Sequence, residues 1–143
     1  MAWSSMGEWQ ETHREEHIDL VLVAHKGNGQ AEGLQARQVF FRNLVNVRME
    51  NARERIIRRE AGDGKSKTKV LAEGKDGNYD YSLFTLEVSG TKHPQLWYLY
   101  QGERGLYANA ILFSGKPSKS DLTTWSEFLQ LGELQTKEAP RRR

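Results

Sequence analysis

Two histidines and a glutamate near the start of the chain have the spacing of a small metal site. His13, Glu16 and His17 follow the pattern H-x-x-E-H. On a helix, the two histidines would lie one turn apart and could share a zinc ion, with Glu16 as the base. A short helix over residues 11–16 is one prediction for this region, and a polar N-terminal arm over residues 1–16 is the other.

The same five residues resemble the inverted motif of zinc peptidases. The resemblance implies a small metal-dependent hydrolase that uses the His13/Glu16/His17 segment. The surrounding residues lack the apolar face that would hold such a helix rigid, and no third ligand is marked in the sequence. We therefore predict no metal and no cofactor, and keep the hydrolase as a second alternative.

Other catalytic patterns are incomplete. The glycines of 27–33 follow an apolar strand, but their spacing fits neither G-x-G-x-x-G nor a P-loop, so a hairpin turn is predicted. The chain has no cysteine and no G-x-S-x-G, which leaves no marked nucleophile. Asp80 and Glu87 lie close to Lys92 in sequence, and two carboxylates with a lysine are typical of nuclease sites. The E-x-K spacing that such sites usually show is absent. No catalytic residue is predicted, and we expect a protein that is not an enzyme.

Positive charge is concentrated in the middle of the chain. Residues 1–33 carry a net charge of −4, residues 34–75 carry +6, and residues 76–143 carry zero. Guanidinium forks and lysines bind phosphate, so this middle segment is the predicted contact for an anionic partner. Eight basic residues fall within 48–69: Arg48, Arg53, Arg55, Arg58, Arg59, Lys65, Lys67 and Lys69.

Tyrosines on one face of the predicted sheet could add base stacking to this basic segment. Aromatic side chains on a sheet with a basic rim grip single-stranded DNA or RNA. The tyrosines are Tyr81, Tyr98, Tyr100 and Tyr107. Glutamates interleave with the arginines and would pair with several of them at helical spacing. A single-stranded nucleic-acid-binding protein is therefore the first alternative function.

The leading hypothesis is a non-catalytic protein-interaction or assembly module. Trp3 and Trp9 lie on the polar arm and are costly to leave in water, so they would dock on a partner or on the domain. The tyrosine-bearing sheet face would be exposed, and tyrosine is enriched at interfaces. The expected partner is another protein or a second copy of the chain.

The predicted fold class is α+β, with an antiparallel sheet of about five or six strands. Period-2 alternation and short turns predict a C-terminal meander of three strands, over 79–88, 95–101 and 106–113. Earlier strands are predicted at 18–24, 38–49 and 68–72. For 38–61, one long helix is the rival to a strand followed by a helix. A helix is predicted near 50–61, ending at Gly62, and another near 121–131, capped by Ser120 or Asp121.

A four-residue loop between the last two strands fixes their register. Gln101 would then pair with Leu106, and Tyr100 with Tyr107. This register puts one set of apolar side chains in the core and all four tyrosines on the opposite face. The core set is Phe84, Leu86, Val88, Trp97, Leu99, Ala108, Ala110 and Leu112.

The predicted organisation is one domain over 17–132, preceded by the arm and followed by a polar, basic-ended tail over 133–143. The N-terminus has no basic start and no apolar stretch, and the longest apolar run is far shorter than a membrane span. A soluble, cytoplasmic protein without membrane contact is therefore expected.

Overall fold

The computed structural model describes residues 8–42, 48–76, 79–102 and 105–138. Within these ranges the chain forms seven strands and two α-helices. In order they are β1 (Glu8–Glu16), β2 (Leu20–Asn28), β3 (Gln35–Arg42), α1 (Met49–Ala61), β4 (Ser66–Asp76), β5 (Tyr79–Val88), β6 (Gln95–Gln101), β7 (Gly105–Leu112) and α2 (Lys119–Glu138).

One antiparallel sheet contains all seven strands, in the order β1-β2-β3-β7-β6-β5-β4. The strands form two meanders, β1–β3 and β4–β7, which meet where β3 pairs with β7. The α+β class is confirmed, and the expected five or six strands are close to the seven described. Among the described residues, no helix is long and apolar enough to cross a membrane.

A helix packs on each face of the sheet over its central strands. On one face, α1 packs on β5 and β6 over an apolar cluster that contains Phe84, Trp97 and Leu99. On the other face, α2 packs on β6 and β7 over a cluster rich in aromatic rings. We call these the α1 face and the α2 face. The strands β6 and β7 are therefore covered on both sides, and residues 95–100 and 105–112 are all buried.

The predicted register of the meander is confirmed. Tyr100 pairs with Tyr107, and Gln101 pairs with Leu106. All eight predicted core residues belong to the α1-face cluster. The four tyrosines lie on the α2 face, opposite that core.

The arm predicted over residues 1–16 and the short helix predicted over 11–16 are wrong for residues 8–16, which form β1 and pair with β2. The domain therefore begins before residue 17. The strand pairing overrides a polar sequence that has no alternation, because an edge strand needs few buried side chains. Residues 1–7 lie outside the described residues.

The region from 38 to 61 is a strand followed by a helix rather than one long helix. β3 ends at Arg42, α1 begins at Met49, and residues 43–47 lie outside the described residues. Ala52 and Ile56, four residues apart, are the buried side chains of α1. The helix ends where predicted, at Gly62, whose positive φ of 56° favours glycine.

The C-terminal helix α2 is longer than predicted and has a different cap. Ser118 and Asp121 exchange hydrogen bonds at 3.0 Å, backbone to side chain in both directions, which is a capping box just before Lys119. The helix continues to Glu138, because Gly132 does not end it. Part of the predicted polar tail over 133–143 is therefore helical.

A polar network joins α1 to the sheet beneath it. Glu60, whose side chain is 6% exposed, accepts hydrogen bonds from Arg37 of β3 and, at 3.0 Å, from Gln95 of β6. Gln95 in turn accepts a bond of 2.7 Å from the indole N–H of Trp97. These bonds fix the last turn of α1 over the central strands.

Candidate nucleic-acid interface

Three of the five predicted arginines are neutralised within the chain. Arg53 pairs with Glu73 of β4 at 3.1 Å. The same helix carries two more pairs, Arg55 with Asp19 at 2.7 Å and Arg59 with Glu15 at 2.8 Å. The hydrogen bond from Arg55 lowers the pKa of Asp19 below its ordinary value. These arginines tie α1 to the sheet and present less charge to a partner than the sequence suggests.

Arg48 and Arg58 keep their full charge. Both side chains are exposed, and no described carboxylate lies within 4.0 Å of either guanidinium. They lie at opposite ends of α1, because Arg48 precedes its first turn and Arg58 lies in its last. The helix therefore offers two separated positive charges rather than a continuous basic surface.

The expectation of an exposed tyrosine face is wrong for three of the four tyrosines. Tyr98, Tyr100 and Tyr107 are 7%, 5% and 2% exposed. They belong to the cluster beneath α2, because a helix with an apolar stripe covers this face of β6 and β7. Tyr81 alone among them is only half-buried, with its ring 6.4 Å from that of Tyr98.

Trp9 is not available to a partner either. It is 7% exposed in β1, and its ring lies 6.2 Å from Trp125 and 6.1 Å from Phe128 of α2. Trp9 therefore docks on the domain. Docking on the domain and docking on a partner were the two alternatives predicted for a tryptophan that is costly to expose to water. Trp3 lies outside the described residues, so its predicted role stays a prediction.

Lysines from three separate segments surround an open depression of about 650 Å³ at one end of the sheet. Lys65 immediately precedes β4 and Lys67 lies in its first residues, while Lys92 comes from the β5–β6 turn and Lys116 from the β7–α2 connection. Glu87 is the one described acidic residue that lines it. The lining therefore has a formal charge of +3, from four lysines and one glutamate.

Hydrogen bonds hold the three segments of this depression together. The backbone N–H of Ser89 donates to the carbonyl of Lys65, and that of Phe113 donates to the carbonyl of Pro94, both at 2.8 Å. His93 adds a bond of 3.0 Å from its Nδ1 to the carbonyl of Phe113. These bonds fix the backbone from which the lysines project, while the exposed lysine side chains themselves stay flexible.

None of these lysines is paired within the described chain. Among the described residues, Lys75 is the lysine with a carboxylate within 4.0 Å of its ammonium group, at 3.0 Å from Asp80. The lysines at 65, 67, 69, 92 and 116 have no such partner. Their field is therefore directed at solvent, unlike that of the arginines at 53, 55 and 59.

Lys67, Lys69 and Tyr81 share the α2 face of the β4–β5 hairpin. Lys69 lies opposite Thr85 and Gly74 lies opposite Tyr81, and these β5 residues alternate with the buried core residues of the α1 face. The ring of Tyr81 lies against Gly74, since a Cβ there would be 3.5 Å from the tyrosine oxygen. Two lysines of β4 and one half-buried ring of β5 therefore lie on one face of this hairpin, with Glu87 opposite Lys67. We call this row the lysine strip.

The predicted zinc ligands do not form the expected site. His13 and His17 donate hydrogen bonds of 2.9 and 3.2 Å to Glu15, while Glu16 lies 3.9 Å from Arg42. The helix that would align them is replaced by β1. Within the described part of the chain, no group of three or more candidate ligands is placed to hold a metal ion.

Glu15 is instead the centre of a small ionic cluster at the edge of the sheet. Hydrogen bonds from His13, then His17, then Arg59 lower the pKa of Glu15 to about 2. The bond from Arg59 also joins the edge strand β1 to α1. This arrangement is structural, and it accounts for the clustering of ionisable residues that the sequence showed.

The other sequence patterns are also structural. The glycines of 27–33 form the predicted connection between β2 and β3, with a 3-10 turn over Gly29–Ala31. Gly27 leaves no room for a Cβ against the backbone of Ala31. Asp80 and Glu87 lie at opposite ends of β5, so they do not form a carboxylate pair.

Lys92 and Lys116 were missed because they lie 27 and 51 residues from Lys65 in sequence. The predicted meander did contain a signal for them. The turn after β5 and the connection after β7 must lie at the same end of an antiparallel sheet. Reading that topology together with charge would have placed these lysines beside the start of β4.

The chain matches no protein-family model, and no curated protein shows significant sequence similarity to it. Its function must therefore be argued from its own surface.

Proposed function

We propose that this protein binds single-stranded nucleic acid through the lysine-lined depression and the adjoining lysine strip. One observation carries the proposal. Unpaired lysines from three segments converge on one depression, while three arginines of α1 are paired within the chain. Ammonium groups that face solvent are common contacts of a phosphate backbone.

The strip has the form that a single strand requires. Lys67 and Lys69 are two residues apart on one face, so their Cα atoms are separated by roughly 6.6–6.8 Å along the strand. A chain of phosphates can follow such a row, and the half-exposed ring of Tyr81 lies further along it. The hydroxyl groups of Ser66 and Ser89 in the depression add hydrogen-bond donors for phosphate oxygens, whereas that of Thr91 already donates to the carbonyl of Val88.

The test is a fluorescence-polarisation titration of a labelled single-stranded oligonucleotide at several salt concentrations. Changing Lys67, Lys92 and Lys116 together to glutamine should weaken binding and flatten the dependence of log K on log salt. Each lost phosphate contact lowers that slope by about 0.7 for a single strand, so the triple variant should lose about 2. Tyr81→Leu should cost about 1 kcal/mol if the ring stacks on a base.

Lys75→Gln is the matched control. It removes the same charge from the same strand, but Lys75 is already paired with Asp80. We expect binding and salt slope close to those of the wild type. Equal slopes for the wild type and the triple variant would rule out this interface.

The second candidate is the interaction module, acting through strand β4 rather than through the tryptophans. β4 is an edge strand of 11 residues. Its residues 66–75 are all exposed, and they include two apolar side chains, Val70 at 42% and Leu71 at 38% exposure. Such an edge can pair with another strand. A bulge at Leu71 and the lysines oppose this pairing.

Sedimentation velocity separates this candidate from the first. Self-association through β4 should be lost in Thr68→Pro, because proline has no N–H to donate to a strand paired at the edge. A monomer at all concentrations, with or without the substitution, would remove self-association through β4.

A further inference from the structure

A second cavity of about 310 Å³ opens between α1 and the β2–β3 part of the sheet. Its floor is apolar and is formed by Leu20, Leu22, Val39, Phe41, Ile56 and Trp97. Each of these side chains is at most 8% exposed, so the floor is part of the packed α1 face. We call this cavity the α1 groove.

Arginines line the rim of the α1 groove. Arg55 lies with its guanidinium carbon 5.1 Å from the centre of the Phe41 ring. One of its terminal nitrogens donates to Asp19, and one of Arg59 donates to Glu15. A guanidinium carries five N–H groups, so both arginines retain donors after these bonds.

Arg58 is the rim arginine whose guanidinium is best placed to bind an anion. It is exposed, and no described carboxylate lies within 4.0 Å of it. Glu60, the one acidic residue in the groove lining, is already bonded to Arg37 and Gln95. The rim therefore has an unbalanced positive charge beside an apolar floor.

We propose that the α1 groove binds a small amphipathic carboxylate, with its hydrocarbon part on the floor and its carboxylate on Arg58. Ligand sites are mostly apolar with a few directed polar groups, and this groove has that composition. Arginine and carboxylate form the strong, charge-assisted type of hydrogen bond. The volume is near the lower limit for ligand pockets, which favours a short chain. The site lies apart from the lysine-lined depression and shares no lining residue with it.

Isothermal titration calorimetry with octanoate tests this site. Octanoate should bind with a submillimolar dissociation constant, and Arg58→Gln should weaken it about tenfold, since a lost charge-assisted bond costs about one decade in affinity. Octanol lacks the charge, so its binding should not change with the substitution. Arg48→Gln is the matched control, because Arg48 is an equally exposed and unpaired arginine outside the groove.

Two further variants keep the proposal open to refutation. Arg58→Glu should reverse the preference from octanoate to octylamine while leaving the apolar floor intact. Val39→Phe should fill the groove and abolish the binding of octanoate and of octanol. Circular dichroism checks that this variant folds. If it does not fold, the Arg58 variants alone decide the proposal. Absence of octanoate binding to the wild type, or equal loss in Arg48→Gln and Arg58→Gln, overturns the proposal. Oligonucleotide binding depends on other residues, so either proposal can fail without the other.

Discussion

The imidazole of His25 lies 4% exposed on the α2 face, opposite Ala36. Its Nε2 is 3.0 Å from the side-chain oxygen of Gln38. Burial lowers the pKa of His25 below its ordinary value of 6.5, and the nearby charge of Arg14 acts in the same direction. The hydrogen bond with Gln38 and the charge of Glu11 oppose this shift without cancelling it.

A lowered pKa makes His25 a source of pH-dependent stability. Its unfolded form takes up a proton near pH 6.5, whereas the folded form does so only at lower pH. The free energy of unfolding should therefore be highest above about pH 6.5 and fall as the pH drops through and below that value. Urea denaturation between pH 8 and pH 5 measures this dependence.

His25→Gln is the comparison for that experiment. Glutamine cannot be protonated, so the variant should lose less stability than the wild type over the same range. His13 and His17 are present in both proteins, and their effects cancel in the difference. Parallel curves for the two proteins would show that His25 does not titrate as described.

The attachment of α1 to the sheet is the central feature at the level of elements. Few described apolar side chains of α1 are fully buried, namely Ala52 and Ile56. Met49, Ile57 and Ala61 pack on the same core while partly buried, and ion pairs and the Glu60 network add polar contacts. A helix held in this way should be sensitive to loss of its buried polar anchor.

Glu60→Ala should destabilise the protein by about 2–3 kcal/mol. The substitution leaves Gln95 and Arg37 without their acceptor, although Arg37 is 28% exposed and can regain water. Glu54→Ala, at an exposed position of the same helix, should stay within about 0.5 kcal/mol of the wild type. Chemical denaturation measures both, and equal values for the two would show that the network contributes little.

Strands in which apolar and polar residues alternate clearly and which are joined by short turns were predictable from the sequence. Strands without these two features were not. β5 and β6 were predicted to the residue, because turns of a few residues force antiparallel pairing and a slip would expose the core face. β1 was missed because Trp9 is its one buried apolar side chain, and the pairing partner β2 decides its conformation. The sequence did not decide if the tyrosines are buried, because the amphipathic side chain of tyrosine is compatible with a buried sheet face and with a solvent-exposed one.

In the candidate interface too, some residues were predictable from the local sequence and others are brought together only by the fold. Lys65, Lys67 and Lys69 were found from local composition, whereas Lys92 and Lys116 join them through the topology. The internal neutralisation of the arginines depends on Asp19, Glu15 and Glu73. Two of these acids lie more than thirty residues away in sequence, which a linear pattern does not indicate.

For the molecule as a whole, the sheet is protected at its centre and open at its margins. β6 and β7 have a helix on one or both faces and a strand on each side, whereas β4 has one neighbouring strand and exposed side chains. Amide hydrogen exchange should therefore be slowest in β6 and β7 and faster in the edge strands β1 and β4. Protection of β4 equal to that of β6 would contradict this order and would indicate a strand paired to its free edge.

The junction of β3 with β7 has a consequence for how the chain folds. Arg42 pairs with Gly105. Once the β4–β7 meander has formed, residues 43–65 are the connection that closes when β3 pairs with β7, because β4 begins at Ser66. The meanders themselves are local and can form early, while this long closure carries the larger entropy cost. We expect the junction to be the slow step, so that Val39→Ala, which weakens it, slows refolding in stopped-flow experiments more than it speeds unfolding. An effect on unfolding alone would mean that the two halves meet only after the barrier has been crossed.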